Sequence, residues 1–510
     1  MAVSLDFLSN PIFVLGSFLV LFIFHNYIHK QPQHGKKYHP TAATLLQPLI
    51  NYNKLHDYMT GLAIRYKTYR ILSPFHGMIY TTDPVNVEYM LKTNFDNYGK
   101  GYYLPSVTSD LLGEGIFTVD GDKWREQRKV ASQEFSTKIL RDYSSVTFRN
   151  NTIKLGEILS QAAVSNQIID INDLFMKLTM DSIFKVGFGI DLDNLGGNEE
   201  GVRFSLAFDD ANNLIYKRFY DPTWRIKKFF NIGMEADLKT NLKIVDDFVY
   251  KLIQTKIEQM QMSTDESLLK KDDILSRFVE VHHNNPKYLR DIILNFVLAG
   301  KDPIAISMSW LIYELCKHPE IQEKVTKEIL EALNVKNEEI TDVADFMARV
   351  SDSALEKMPY LHAALSESIR LYPALPMDPK VSFTDDVLPD GCNVNKGDVV
   401  SYMAYAMGRM KYIWGDDALE FKPERWLDQD GCYRPESPFK FTAFQAGPRT
   451  CLGRDFAYRH LKIIASVVLG CFAFKLRNEK EVMSYRVSIN VHVEAPLQVY
   501  VSRRSVFQNP

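Results

Sequence analysis

A mainly α protein with a minor β region towards each end is the fold class this sequence predicts. Three observations predict it. Apolar residues recur at helical spacing through most of the chain. Near the start, "YKTYRIL" and "GMIYTTD" alternate and carry aromatic and β-branched residues, which places a small sheet near residues 66–83. Near the end, "YRVSINVHVEAPLQVYV" has strand character again.

The first 28 residues stand apart from that body. "PIFVLGSFLVLFIF", Pro11 to Phe24, carries no charge, and continued to Ile28 it makes a helix of roughly 27 Å, close to a bilayer's apolar thickness. Lys30, Lys36 and Lys37 follow it and only Asp6 precedes it, so the basic side is expected to stay cytosolic. The basic residues lie on the wrong flank for a cleaved signal peptide. The sequence therefore divides into a signal-anchor at 1–28, a basic linker at 29–40 and a single large domain at 41–510.

With 510 residues, 46% of them hydrophobic and 24% charged, the chain has ample material for a buried cofactor. A formal charge of -3 gives no broad basic field, which excludes a nucleic-acid partner on electrostatic grounds. Five scattered cysteines without a C-x-x-C pair read neither as a disulfide framework nor as a zinc site.

In the middle of the chain, "MSTDESLLKKDD", Met262 to Asp273, reads as an exposed charged loop. Asn285 followed by Pro286 marks a helix start, and "HPE" at 318–320 supplies the stop. The helix between them is about thirty residues long, with Pro303 in its middle.

"FQAGPRTCLGRDFAYRHL" is the most informative segment. Phe444, Gly447, Arg449, Cys451 and Gly453 stand at the spacing Phe-x-x-Gly-x-Arg-x-Cys-x-Gly. Glycines permit tight turns that bring backbone N–H groups to a sulfur, and Ala457, Leu461, Ile464 and Val468 predict a following helix whose dipole favours a thiolate at Cys451. A soft anionic ligand of this kind suits haem iron, where it pushes electron density to favour O–O cleavage.

On these residues the chain resembles the cytochrome P-450 superfamily, and the resemblance covers about residues 39–501. It implies that fold with one N-terminal membrane anchor helix, a haem b cofactor and Cys451 as the iron ligand. A Glu-x-x-Arg pair is implied too, met by Glu367 and Arg370 in "LSESIRLYPALP", with Arg425 of "FKPERW" completing a buried charge network. For the haem propionates it implies Trp124 and Arg128 in "WREQRK", with Arg449 and Lys380 of "MDPKV" as further cations; lysine supplies charge there without bidentate geometry. "NFDNYGKG", "YAMGRMKYIWGDDALEFKPERW" and Lys380 make the chain most similar to the plant fatty-acid ω-hydroxylases.

In the family a stretch Ala-Gly-x-(Asp/Glu)-Thr lies over the haem, and Ala299, Gly300 and Asp302 fit it. Pro303 takes the threonine position and Ile304 follows. Proline removes the N–H that would bond the Ala299 carbonyl, so a bend is expected and the hydroxyl is lost. Asp302 is therefore expected to work through ordered water, with Ser307 one turn onward as a second candidate.

The resemblance implies a monooxygenase that uses O2 and electrons from NADPH through NADPH-cytochrome P-450 reductase, docked near Lys123, Arg125 and Lys129. It would sit in the endoplasmic reticulum membrane, facing the cytosol and in contact with lipid. An apolar small-molecule substrate, a fatty acid hydroxylated near its ω end, would fill a pocket built from Tyr102–Phe117, Phe296, Ala299 and Ala374–Met377. Loss of the threonine leaves open a haem-thiolate hydroperoxide isomerase or dehydratase that does not use O2. A non-catalytic haem protein is the third reading.

Overall fold

The computed structural model describes residues 36–73, 76–135, 138–262, 273–282, 285–335 and 340–505. The expected anchor, the linker as far as residue 35 and most of the charged stretch after Met262 lie outside the described residues.

Helices dominate, as their apolar spacing requires. The helix Ile171–Phe188 is capped by Asp170, whose carboxylate accepts from the Asn172 and Asp173 N–H groups, and it ends on Gly189 at φ +75°. It buries Phe175, Leu178, Phe184 and Phe188 against the middle of the chain. Phe184 stands edge-on to Phe188 and Phe204, each with ring centres 5.1 Å apart, the geometry aromatic quadrupoles favour.

The central helical run starts where Asn285 and Pro286 indicate: Asn285 accepts from the Tyr288 N–H at 3.0 Å. It does not continue as one helix. Pro286–Gly300 and Asp302–Lys317 meet at Lys301, whose ψ of -72° marks the break, because Pro303 offers no N–H to the turn before it. Ala305 N–H reaches back to the Lys301 carbonyl at 3.3 Å and restarts the ladder. Among the described residues this is the run long and apolar enough to cross a bilayer, yet 78% of its most apolar window is buried in protein, so it is a core element.

The expected sheet at 66–83 is present as Thr68–Leu72 and Met78–Thr81, antiparallel to each other. It grows to six strands in the spatial order Thr41–Thr44, Thr68–Leu72, Met78–Thr81, Val399–Tyr402, Asp378–Ser382, Tyr98–Gly99. Gly99 pairs with Val381, so Lys100 comes beside Asp378 and Lys380, which share one face two residues apart. The late strand region supplies Gln498–Arg503, paired with Phe472–Leu476 and Ile169–Asp170, and a hairpin of Tyr485–Arg486 with His492–Val493.

Trp310 ties the broken helix to that hairpin. Its indole N–H donates to the Val491 carbonyl at 2.9 Å, and its ring lies parallel to Tyr372 at 3.9 Å. Trp310→Ala is expected to cost about 3 to 5 kcal/mol, against about 1 to 3 kcal/mol for Trp310→Phe, which keeps the stack and strands one carbonyl. Denaturant midpoints of the two variants measure the difference, and equal losses would remove the stack from the account.

Candidate active site

Cys451 sits three residues before the helix Arg454–Cys471. Its N–H donates to the Phe444 carbonyl at 2.8 Å, and the Gly453 N–H donates to its sulfur. Gly447 turns at φ +65°, and a Cβ there would overlap the Leu91 carbonyl oxygen, so only glycine lets the loop pack on that segment. Gly453 is different: a Cβ would lie 3.9 Å from Cys451 Sγ, an ordinary contact, so its contribution is the N–H rather than its size.

The open surface of Cys451 faces an internal cavity rather than bulk solvent. The cavity volume is about 280 Å³. Burial pushes the thiol pKa up, opposed by the Gly453 N–H, Arg128 and Arg454. Phe117, Phe135, Phe278, Phe296 and Leu375 give the cavity an apolar wall, and Ala299, Gly300, Pro303, Ile304 and Ser307 enter it from the helix break.

Cations collect along one side. Arg128 donates to the Thr450 carbonyl at 2.5 Å. Arg449 donates to Asp120 at 2.5 Å and lies 4.4 Å over the Trp124 ring, and its Nε has no hydrogen-bond partner. Lys100 Nζ and Lys380 Nζ lie 2.6 and 2.7 Å from the two oxygens of Asp378. Four basic side chains thus stand beside two carboxylates, so basic groups are in excess in a buried place. Burial, with Lys100 and Arg449 nearby, pushes the Lys380 ammonium down to about 7, while the two lysines hold the Asp378 carboxyl well below its usual range.

Behind the loop, Glu367 is wholly buried and fully bonded. Arg370 meets it through two bonds of 2.7 and 2.8 Å, Arg425 Nε donates at 3.2 Å, and the Trp426 indole N–H donates at 2.9 Å. Arg370 also donates to the Gly408, Ala418 and Glu420 carbonyls, so one ion pair pins three carbonyls of the segment that leads to the cysteine loop.

The family model described as Cytochrome P450 matches residues 34–499. The chain belongs to the cytochrome P450 family. It is 50% identical over 483 residues to cytochrome P450 704C1 of Pinus taeda, covering 92% of each chain. To cytochrome P450 704B1 of Arabidopsis thaliana it is 41% identical, over 96% of this chain and 99% of the relative. Cytochrome P450 94A1 of Vicia sativa is 40% identical over 77% of this chain and 75% of its own length. As a P450, the protein is an oxidoreductase of the monooxygenase type that binds haem b.

The residues present fit such a group. A buried thiol, an apolar wall, an unpartnered Arg449 Nε and an excess of basic over acidic side chains are what a flat apolar ring with an iron centre and two carboxylates requires.

Of the expected site residues, Cys451, Gly453, Phe444, Trp124, Arg128, Arg449, Ala299 and Gly300 line the P450 cavity, and Gly447 shapes the loop beneath it. Lys380 does not line it; Lys100, which shares the Asp378 carboxylate with it and matches none of the expected site positions, does. Asp302 also fails to face the cavity and turns to Lys301, Asn490 and His492 instead. Ser307 does face it, but its hydroxyl donates to the Pro303 carbonyl at 2.7 Å. Ile116, Phe117, Phe296, Ala374 and Leu375 of the expected pocket line it, whereas Tyr102 is 59% exposed. Lys123 pairs with Glu114 at 2.5 Å and Arg125 with Asp96 and Asp122 at 3.0 Å, which weakens the positive field expected there. In a separate group, His39, Asp390 and Cys392, the Asp390 carboxylate already accepts from His39, Asn86 and the Cys392 N–H at 2.8 to 3.0 Å.

Lys380 gives a pH signature. Its folded pKa of about 7 lies below the unfolded value near 10.4, so between these limits the folded state binds fewer protons and this group's contribution to stability rises with pH. Below about pH 7 the full cost of burying the charge is present. Lys380→Met should therefore stabilise the haem-free protein most below pH 7, with the advantage shrinking towards pH 10, as read from unfolding midpoints. A difference independent of pH would show that the lysine is not displaced by burial.

Proposed function

We propose that this P450 holds haem b through the Cys451 thiolate and hydroxylates a fatty acid near its ω end, taking electrons from NADPH through a reductase. The observation that carries the reading is the cavity itself, with thiol and cations at one side and a phenylalanine-lined wall elsewhere. Bound haem supplies the reductive activation of O2 that inserts one oxygen atom into an unactivated C–H bond.

The chain's own residues do the rest. Cys451 is held for ligation by its N–H bond to Phe444, and the Gly453 N–H and the helix dipole disperse the thiolate charge. Arg128, Arg449 and Lys100 offer donors to two propionates, with Trp124 holding the Arg449 guanidinium flat; Lys380 adds charge from behind. Ala299 and Gly300 leave room next to the break, and Gly300 is so close to Ile183 that a side chain there would displace it. The apolar wall excludes water and suits a long acyl chain. Residues 1–28 would anchor the enzyme in the endoplasmic reticulum membrane with this domain in the cytosol.

The competing haem-thiolate hydroperoxide enzyme draws support from one observation, the Ser307 hydroxyl being committed to Pro303. Microsomes carrying the protein and a reductase, given a panel of long-chain acids, should yield hydroxylated products that require both NADPH and O2. Turnover of a fatty-acid hydroperoxide without reductase, and no NADPH-dependent product, would replace the hydroxylase reading with the second.

A further inference from the structure

A fatty acid oxidised near its ω end lies with its methyl end towards Cys451 and its carboxyl group at the far end of the acyl chain. That group needs hydrogen-bond donors, because a polar group buried without them is strongly disfavoured. The polar side chains that reach the wall from the central helices and the late hairpin are already engaged. Asn295, Ser307 and Asn490 donate to the Leu112 carbonyl, the Pro303 carbonyl and Asp302.

Donors collect a short way beyond, where three elements that bound the cavity lead to one group of tyrosines. The helix Glu199–Lys217 approaches the helix break at Asp209, which accepts from Lys301. Tyr216, two turns onward on the same face, stands about 10 Å along it. Tyr103 opens the helix Tyr103–Leu112, which runs on to the wall residues Ile116 and Phe117. Tyr52 donates to the carbonyl of Val487 at 3.3 Å, in the same hairpin segment as the wall residue Asn490. Tyr220 joins these parts: its hydroxyl lies 3.1 Å from that of Tyr216, and its ring stands edge-on to Tyr52 at 5.1 Å. Tyr80, in the strand Met78–Thr81, completes the group and is close enough for Tyr220 and Tyr103 to act on its hydroxyl.

Tyr103, Tyr216 and Tyr220 are only half-buried by area, yet burial is the largest influence on each hydroxyl and pushes all three pKa values up. Their open surface therefore faces enclosed space and not bulk water. The hydroxyls of Tyr80 and Tyr103 have no hydrogen-bond partner among the described residues. Arg218, two residues after Tyr216, brings no free charge, because Glu235, Asp110 and the Val107 carbonyl take up its guanidinium. The group is a set of neutral donors.

We propose that these tyrosines, with Tyr80 and Tyr103 as the free donors, receive the substrate carboxylate and so set which carbon of the acyl chain reaches the Cys451 side of the cavity. The proposal rests on the fatty-acid hydroxylase reading. A carboxylate accepts about four hydrogen bonds and stays ionised when two or three donors serve it, so phenols can act here in place of a cation.

The test compares Tyr80→Phe, Tyr103→Phe and the double variant, using dodecanoic, hexadecanoic and octadecanoic acids and their methyl esters. Dissociation constants are read from the spin-state change of the ferric haem as each ligand is added, and product positions from mass spectrometry. Loss of one hydrogen bond to a charged group should raise the constant for the acid about tenfold to a hundredfold in each single variant. The ester, a weaker neutral acceptor, should change by about threefold or less. Products should spread from the ω carbon to its neighbours as the carboxylate loses its fixed place.

A packing role makes the opposite demand. Neither hydroxyl has a partner to lose within the protein, so both variants should unfold at or above the wild-type temperature, and any loss confined to the acid reports on the ligand. Should one variant fail to load haem, the other carries the same comparison. Equal losses for acid and ester, or an unchanged acid constant and product position in both variants, would overturn this proposal while the wild type still hydroxylates the acids. A wild type that neither binds nor hydroxylates any of the acids would instead remove the fatty-acid reading, and this proposal with it.

Discussion

A sulfur that has to become an anion inside an apolar cavity is the constraint on which the structure turns. Burial by itself drives the Cys451 thiol the wrong way. One backbone N–H, one helix N-terminus worth about half a charge and two arginines offset part of that, and none of them forms a full ion pair with the sulfur. The remaining requirement is a metal, which deprotonates a coordinating thiol outright. The loop is accordingly shaped in advance: Gly447 takes a backbone angle and a close approach that exclude a side chain, and Phe444 accepts the cysteine N–H.

Such a loop keeps its shape only if its support cannot slide. Glu367 provides this by accepting from two arginines and a tryptophan at once, while Arg370 reaches three carbonyls of the segment leading to the loop. Removing one partner would leave a charge buried without its counterpart, which is why the unit is all-or-none. The cation side follows the opposite logic: its basic groups outnumber the two carboxylates beside them, which suits it to an anionic group.

Local spacing carried the legible part of this architecture. The cysteine loop, the Glu367–Arg370–Arg425 set and the helix start at Asn285 are short-range patterns, and the structure assembles each of them. Trp426 stood inside the segment "FKPERW", yet its N–H acquires a partner only through packing 59 residues away. Lys100, Asp378 and Lys380 meet because of the register between Gly99 and Val381, which a single sequence does not disclose. Asn490 lies 188 residues from Asp302, beyond any local reading. Pro303 marks the break from sequence alone, whereas the turn of Asp302 away from the cavity follows from its packing on Lys301, Asn490 and His492.

The central claim is that Cys451 binds iron as a thiolate, and the ferrous-CO spectrum tests it most directly. The account predicts a red-shifted Soret absorption for the freshly prepared, fully haem-loaded protein and its loss in Cys451→Ser. A wild-type spectrum lacking that band, or a Cys451→Ser spectrum retaining it, would contradict the account.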